Sequence, residues 1–242
     1  MAKSPSGPEP AMPSKASVTV IIPTMNEEEG IGGTIDQIPR PDDMDIEILV
    51  VDTDSKDRTK EVARSKGARV INESRRGYGQ AYKTGFEKAK GDIIATLDAD
   101  CTYPAEMIPK LIRTLKKEHL DFITTNRFAK MKKGAMSTKH RFGNWVLNVT
   151  ARLLFGVKFK DSQSGMWVFK RTILKKVELV SDGMPMSEEL KIEAFKKGFA
   201  CKEVPIEYRP RVGEVKLSSW GDGWKNFKFL WSKKYGKARS KD

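Results

Sequence analysis

Four short apolar runs, each closing on a polar residue or a proline, leave this chain little choice of architecture. "SVTVIIP" (Ser17 to Pro23) is a β-branched run stopped by proline, and "IEILVVD" (Ile46 to Asp52) ends on an aspartate. "RVIN" (Arg69 to Asn72) is a shorter third, and "DIIATLD" delivers Asp98 at its end. Near-continuous apolar runs of this length belong to strands buried on both faces. Between them, Glu27 to Ile38, Asp57 to Lys66 and Tyr78 to Lys90 carry helical patterns. Strands alternating with helices of about ten residues predict an α/β fold, with a mostly parallel sheet flanked by helices. Ligands bind such sheets beyond the carboxyl ends of the strands. Those ends carry Pro23, Thr24, Asn26 and Glu27, then Asp52, then Asp98 and Asp100.

The second half is less regular. A helix is predicted from about Pro104 to Glu118, with Thr102 as a candidate N-cap, and "DFITTN" reads as a strand. "RFGNWVLNVTARLLFGV" places Phe142, Trp145, Val149 and Leu153 on one helical face. "GMWVFKR" reads as a strand, "SEELKIEAFKKG" as a helix and "FACKEVPIEY" as a last strand.

The pair Asp98 and Asp100 is the sharpest chemical signal. Residues i and i+2 of a strand point the same way, so two carboxylates share one face. They repel unless a divalent cation neutralises them, and hard oxygen ligands suit Mg²⁺ or Mn²⁺, which in turn hold a diphosphate. An isolated Asp-Ala-Asp is more often a solvated loop. This one follows a buried strand and shares its edge with Asp52 and Glu27, which favours the metal. "RRGYGQAYKTG" (Arg75 to Gly85) has two glycines entering a helix, and fits backbone approach to a phosphate or a tight turn equally well.

Charge sharpens the picture. The formal net charge is +13, yet Arg127 to Arg141 holds six Lys/Arg and no acid, and Lys216 to Asp242 holds eight Lys/Arg against two Asp. Two basic patches on a near-neutral body imply two places that meet an anionic partner. In the second patch Trp220, Trp224, Phe227 and Trp231 recur at helical spacing among lysines, a pattern that fits either core or an amphipathic membrane-surface helix. No uninterrupted apolar run approaches the roughly 18 residues of a spanning helix. Residues 1–16 read as a disordered tail without a signal-peptide core, and two cysteines make no disulfide framework, which points to a cytosolic setting.

The segments "VIIPTMNEEEGI", "VVDTDSKDRT", "NESRRGYGQAYKTGFEKAKGDIIATLDAD" and "DSQSGMWVFKR" occur in the order seen in family-2 glycosyltransferases of the A-type (GT-A, Rossmann-like) fold. Across roughly Ser17 to Ser218 the chain resembles the polyprenyl-phosphate sugar synthases, the dolichyl-phosphate mannose or glucose synthase type. The resemblance implies a catalytic domain over residues 17–215 and a basic aromatic membrane-surface extension over 216–242. It implies an inverting transfer of a sugar from a nucleoside diphosphate (GDP-mannose, UDP-glucose or UDP-GlcNAc type) to dolichyl or polyprenyl phosphate. Pro23, Thr24, Asn26, Glu27, Asp52 and Asp98 would line the nucleotide-sugar site, and Asp98 and Asp100 would hold Mg²⁺ or Mn²⁺, with Asp100 in a catalytic role. Arg127, Arg141, Arg211 and Lys216 would receive the acceptor phosphate. Glu188 or Glu189, at a helix start, would orient sugar or acceptor, with an ordinary helix N-terminal role as the plainer reading.

Three positions depart from the family pattern: Thr53 where a second aspartate is usual, Thr102 where mannose synthases often have glutamine, and Val215 for a serine. The expected setting is peripheral, on the cytoplasmic face of a membrane with an anionic surface. Two rival readings remain: a family-2 transferase acting on a saccharide hydroxyl, with Glu188 or Glu189 as base, and a basic nucleic-acid-binding module. The second leaves the acidic edge unexplained, because carboxylates without a metal repel phosphates.

Overall fold

The structure, a computed structural model, describes residues 15–213 and 219–236. The expected tail lies outside these residues except for Lys15 and Ala16, and Ala16 already opens the first strand. The first half alternates β1 (Ala16–Thr24), α1 (Glu28–Asp36), β2 (Met44–Asp52), α2 (Thr59–Ser65), β3 (Arg69–Asn72), α3 (Tyr78–Lys88) and β4 (Ile93–Thr96). A single 3-10 turn at Ala105–Met107 leads into α4 (Ile108–Lys117), followed by β5 (Phe122–Met131), α5 (Thr138–Phe155) and β6 (Trp167–Lys170). The chain continues through α6 (Met186–Lys196), β7 (Cys201–Tyr208) and α7 (Ser219–Lys234).

The seven strands form one sheet in the order β3-β2-β1-β4-β6-β5-β7. All neighbours are parallel except β6, which runs antiparallel to both β4 and β5. Helices cover both faces, as near-continuous apolar strands require. On one side Ile31, Ile35, Ile108, Leu111 and Leu115 pack on Val18, Val20, Ile22 and Val50. On the other, Tyr82, Phe86, Met186 and Leu190 pack on Ile21, Val51, Ile94, Trp167 and Phe169. Each fully buried aliphatic of this kind contributes about 1.5–3 kcal/mol by leaving water.

Two differences from the expected elements bear on the site. β5 runs five residues past the expected Asn126, with a register shift against β7 between Asn126 and Lys130, so the basic stretch begins inside a strand. Thr102 does not cap α4, whose entry is the 3-10 turn.

A third cluster lies away from the sheet. Leu147 and Ala151 of α5, Ile192 of α6 and Leu230 of α7 pack together. The opposite faces of α5 and α7 stay in water: Phe142 is 64% exposed, Trp145 57%, Leu153 80%, Trp224 56%, Trp231 44% and Tyr235 64%. Phe142 stacks on Trp145, and Trp224, Phe227, Trp231 and Tyr235 form a continuous ring ladder. The Trp220 side chain lies outside the description. Among the described residues, no helix is long and apolar enough to cross a membrane.

Candidate functional site

The carboxyl ends of β1, β2 and β4 converge as the sequence predicts. Three non-glycine residues in the left-handed region sit just past them: Asn26 (φ 54°), Asp54 (φ 55°) and Cys101 (φ 61°). Backbone conformations of that kind cost energy and persist where the surroundings impose them, which is common at ligand sites. Here the imposing contacts are visible. Asn26 N–H donates to Ser55 Oγ (2.7 Å), Lys56 N–H to Asn26 Oδ1 (2.7 Å) and Glu27 N–H to Thr59 Oγ1 (2.7 Å), so the β1 and β2 loops are laced together. Gly30 presses α1 onto the Asp-Ala-Asp turn: a Cβ there would stand 2.5 Å from the Ala99 carbonyl oxygen.

Asp52 is fully buried, and its carboxylate is already used. Oδ2 accepts from Thr24 Oγ1 (2.9 Å) and Ser55 Oγ (2.5 Å), and Oδ1 from Ser55 N–H (3.0 Å). These bonds tie the end of β2 to Thr24 of β1 and to the Ser55 loop. Pro23 and Thr24 hold the neighbouring strand end in register with Val51 and Asp52.

β4 ends at Thr96, so Asp98 and Asp100 lie in the turn beyond it and strand alternation does not set their directions; their carboxylates are neighbours all the same. Tyr78 Oη donates to Asp98 Oδ1 (3.1 Å), and Gly165 lies so near that a Cβ would be 3.3 Å from the same oxygen. Burial and the neighbouring Asp100 charge raise the Asp98 carboxyl to about 7. Asp100 is buried; Oδ1 accepts from Thr102 N–H (3.1 Å) and Thr102 Oγ1 (2.6 Å), while Oδ2 faces Arg211 Nη1 at 3.0 Å. Thr102 therefore orients the acid instead of capping a helix. Among the described residues there is no cluster of three His, Cys, Asp or Glu with metal-holding geometry. Two hard carboxylates on one edge nevertheless fit Mg²⁺ or Mn²⁺, which bind through one or two carboxylates and complete their shell with water and substrate phosphates.

Arg211 arrives from the segment after β7. Its Nη2 donates to Glu27 Oε1 (2.6 Å), and Val212 N–H to the Asp100 carbonyl (3.0 Å), with Arg209 N–H donating to the Thr102 carbonyl (3.0 Å). The segment 209–213 thus lies along the acidic turn.

Several sequence expectations meet different facts. Arg127 is not free to receive a phosphate: it is 7% exposed, and its Nε and Nη2 donate to Asp161 at 2.8 Å each. Its guanidinium also stacks 5.4 Å from the Tyr208 ring centroid. The inward turn follows from the β5 extension. Arg141 is exposed in the first turn of α5, and among the described residues no contact joins it to the acidic edge. Lys216 lies outside the described residues.

Glu189 is buried and engaged, accepting from Val180 N–H (3.0 Å) and Ser181 N–H (2.9 Å) and pairing with Lys233 of α7 (3.0 Å). Glu188 is also fully buried; Oε2 accepts from Gln163 Nε2 (2.6 Å), while Oε1 has no partner. Burial pushes the Glu188 carboxyl well above the ordinary range. The two glycines of "RRGYG" serve packing: a Cβ at Gly77 would meet the Asp182 carbonyl oxygen at 2.2 Å, and one at Gly79 the Ser181 carbonyl oxygen at 2.6 Å.

Sequence reasoning missed the support behind the edge. Lys191, buried, donates from Nζ to the carbonyls of Asp161 (3.0 Å) and Ser162 (2.8 Å), and Tyr103 Oη accepts from Gly165 N–H (2.7 Å). Together they fix the "DSQSG" loop over Asp98. The motif itself was the available signal; its partners, distant in sequence, were not.

Comparison with known proteins places this geometry. Residues 19–178 match the model of Glycosyl transferase family 2. The low-salt glycan biosynthesis hexosyltransferase Agl6 of Haloferax volcanii is 38% identical over 88% of this chain and 53% of its own length, so this chain spans about half of that relative. The dolichyl-phosphate hexose transferase of the same organism is 36% identical over 85% of this chain and 89% of its own. The dolichol-phosphate mannosyltransferase of Pyrococcus furiosus is 32% identical over 83% and 59%. Among solved structures, glucosyl-3-phosphoglycerate synthase from Mycobacterium tuberculosis, in complex with Mn²⁺, UDP-glucose and phosphoglyceric acid, superposes with a TM-score of 0.76 over 93% of this chain and 82% of that one. Its 22% identity makes it evidence for the fold alone, and that fold is the GT-A, Rossmann-like one.

Proposed function

This chain belongs to glycosyl transferase family 2, and from that premise we propose that it moves a hexose from a nucleoside-diphosphate sugar to the phosphate of a dolichyl-type polyprenyl lipid. The observation that carries the reading is an acidic edge bridged by a basic group: Asp98 and Asp100 lie past the strand ends, and Arg211, from the segment after β7, contacts both Asp100 and Glu27. The similarity to a dolichyl-phosphate hexose transferase across most of both chains supports a lipid-phosphate acceptor.

Asp98 and Asp100 would hold Mg²⁺ or Mn²⁺, whose chemistry is to neutralise charge growing on the departing diphosphate. Tyr78 and Thr102 fix the two carboxylates, one each, and Gly165 of the "DSQSG" loop packs against Tyr78 and Asp98. In the reaction the anomeric carbon loses its bond to the diphosphate oxygen and gains one to the acceptor phosphate oxygen, with inversion. The acceptor is anionic at neutral pH, so no base has to remove a proton. This matters because the hydroxyl-acceptor alternative needs a carboxylate base, and both candidates are fully buried: Glu189 is held by Val180, Ser181 and Lys233, and Glu188 by Gln163 on one oxygen. Arg141 and Arg211 remain as arginines for the acceptor phosphate, with bidentate geometry as their advantage.

A lipid acceptor places the enzyme at a membrane surface, on the cytoplasmic side where nucleotide sugars are made available. The exposed aromatic faces of α5 and α7, with Lys228 lying 5.5 Å from the Trp224 ring centroid, suit docking at headgroup level beside anionic lipid. The decisive experiment incubates the protein with labelled UDP- and GDP-sugars, Mg²⁺ or Mn²⁺, and either short-chain polyprenyl phosphate or free saccharides. Labelled lipid-linked sugar is the expected product. Transfer to saccharide alone would replace the proposal with its hydroxyl-acceptor rival.

A further inference from the structure

We infer that Arg211 is the internal counter-cation of the donor site: its guanidinium neutralises Asp100 and Glu27 in the metal-free protein, and a divalent cation binds by displacing it. The inference rests on the proposed function only for what Arg211 does after release.

Asp98 and Asp100 lie two residues apart on this edge, Glu27 is joined to Asp100 through Arg211, and neighbouring like charges are costly without a cation between them. Arg211 supplies one. Nη1 stands 3.0 Å from Asp100 Oδ2 and Nη2 donates to Glu27 Oε1 at 2.6 Å, so one planar group spans both acids. Asp100 Oδ1 is already taken by Thr102, which leaves Oδ2, the oxygen that Arg211 covers, as the one to turn toward a metal. Arginine and metal therefore compete for one atom.

The hold is also incomplete. Among the described residues Arg211 Nε is buried with no partner, an unsatisfied donor that weakens the hold. Arg127 shows what a permanent clamp looks like in the same protein: Nε and Nη2 both satisfied by one carboxylate, a ring on its face, and almost no exposure. Among the described residues, Arg211 has neither the second edge nor the ring. It sits on a segment tied down by two backbone bonds, from Val212 and Arg209 to the turn that carries Asp100. A cation arriving at Oδ2 takes over the neutralising role, and the guanidinium, once released, is a basic group beside the Asp100 turn, free to meet an incoming phosphate.

The test is direct Mn²⁺ binding, without donor or acceptor, followed by titration calorimetry and by loss of the free-ion electron paramagnetic resonance signal. R211Q is expected to bind Mn²⁺ about tenfold or more tightly than wild type, R211K to stay within about threefold of wild type, and D100N to lose binding. R152Q, an equal change of charge at an exposed α5 position, is expected to leave the affinity unchanged. Melting curves establish that each variant is folded. Unchanged or weaker binding in R211Q overturns the inference. So does R211K binding as tightly as R211Q, a gain in R152Q equal to that in R211Q, or D100N binding like wild type. No arm uses a sugar or a lipid, so a failed acceptor assignment leaves this result standing, and the reverse holds too.

Discussion

Arg127 and Arg141 have the same chemistry and opposite surroundings, one buried on Asp161 and one exposed on α5. Removing Arg127 leaves Asp161 buried without its partner, and breaking a buried pair in this way costs about 3–5 kcal/mol. Arg127→Ala should lower the melting temperature and the activity together. Arg141→Ala should move stability by no more than about 0.5 kcal/mol, as exposed substitutions do, while raising KM for polyprenyl phosphate and sparing donor affinity. A thermal melt beside acceptor-dependent kinetics separates the two. Asp100→Asn should cut transfer by at least about a hundredfold, as loss of a transition-state electrostatic contact does, with the fold retained. Full activity in that variant, or in excess chelator, would remove the metal from the mechanism.

Lys191 gives a pH prediction. Burial pulls its ammonium down to about 7 although Asp161 opposes the shift. Between about 7 and the ordinary 10.5 the unfolded chain keeps a proton that the folded state has released, so the folded state's penalty fades as pH rises through this window. Urea titrations at pH 7 and pH 9 should show this gain in wild type and a smaller one in Lys191→Met. An identical pH slope in both would assign the shift elsewhere.

At the level of single elements, α5 and α7 each present two apolar faces, and the packing chose the smaller residues. Leu147 and Ala151, and on the partner helix Leu230, enter the shared cluster, leaving Trp145, Trp224 and Trp231 outside. Leu230→Ala should therefore cost about 2–5 kcal/mol, as a cavity in a packed core does. Trp224→Ser with Trp231→Ser should leave stability nearly unchanged and weaken flotation with anionic vesicles. If the double variant floats as well as wild type, the docking surface lies elsewhere. The stripe Phe142, Trp145, Val149 and Leu153 was legible as a helical face, but periodicity does not say which of two faces a neighbour will cover. The same limit hid the duties of Glu188 and Glu189. Their place in the first turn of α6 follows from the sequence, whereas their burial depends on Gln163, Val180 and Lys233, contacts that only the tertiary fold creates. The acidic edge was readable because each of its residues closes a strand or follows one within a few positions, and strand ends of a parallel sheet share one side by topology alone.

For the whole molecule, charge and shape act together. Basic groups near the aromatic faces predict vesicle binding that weakens with salt, since the Debye length shrinks from about 10 Å at 0.1 M to about 3 Å at 1 M. Deleting the whole C-terminal helix is a poor test of this, because Lys233 pairs with Glu189 and Glu193 and Leu230 fills the α5–α6 cluster. Point substitutions on its outer face separate docking from folding. The sheet order has a consequence for synthesis. β4 is bordered on one side by β1, which precedes it, but its other neighbour is β6, which leaves the ribosome about 70 residues later. At roughly 5–20 residues per second, the nascent chain carries an open, apolar strand edge for several seconds. In that interval β5 has emerged but has no place to pair until β6 is inserted between them. A holding chaperone that covers strand edges, or a translation pause placed after Lys170, would act on this window.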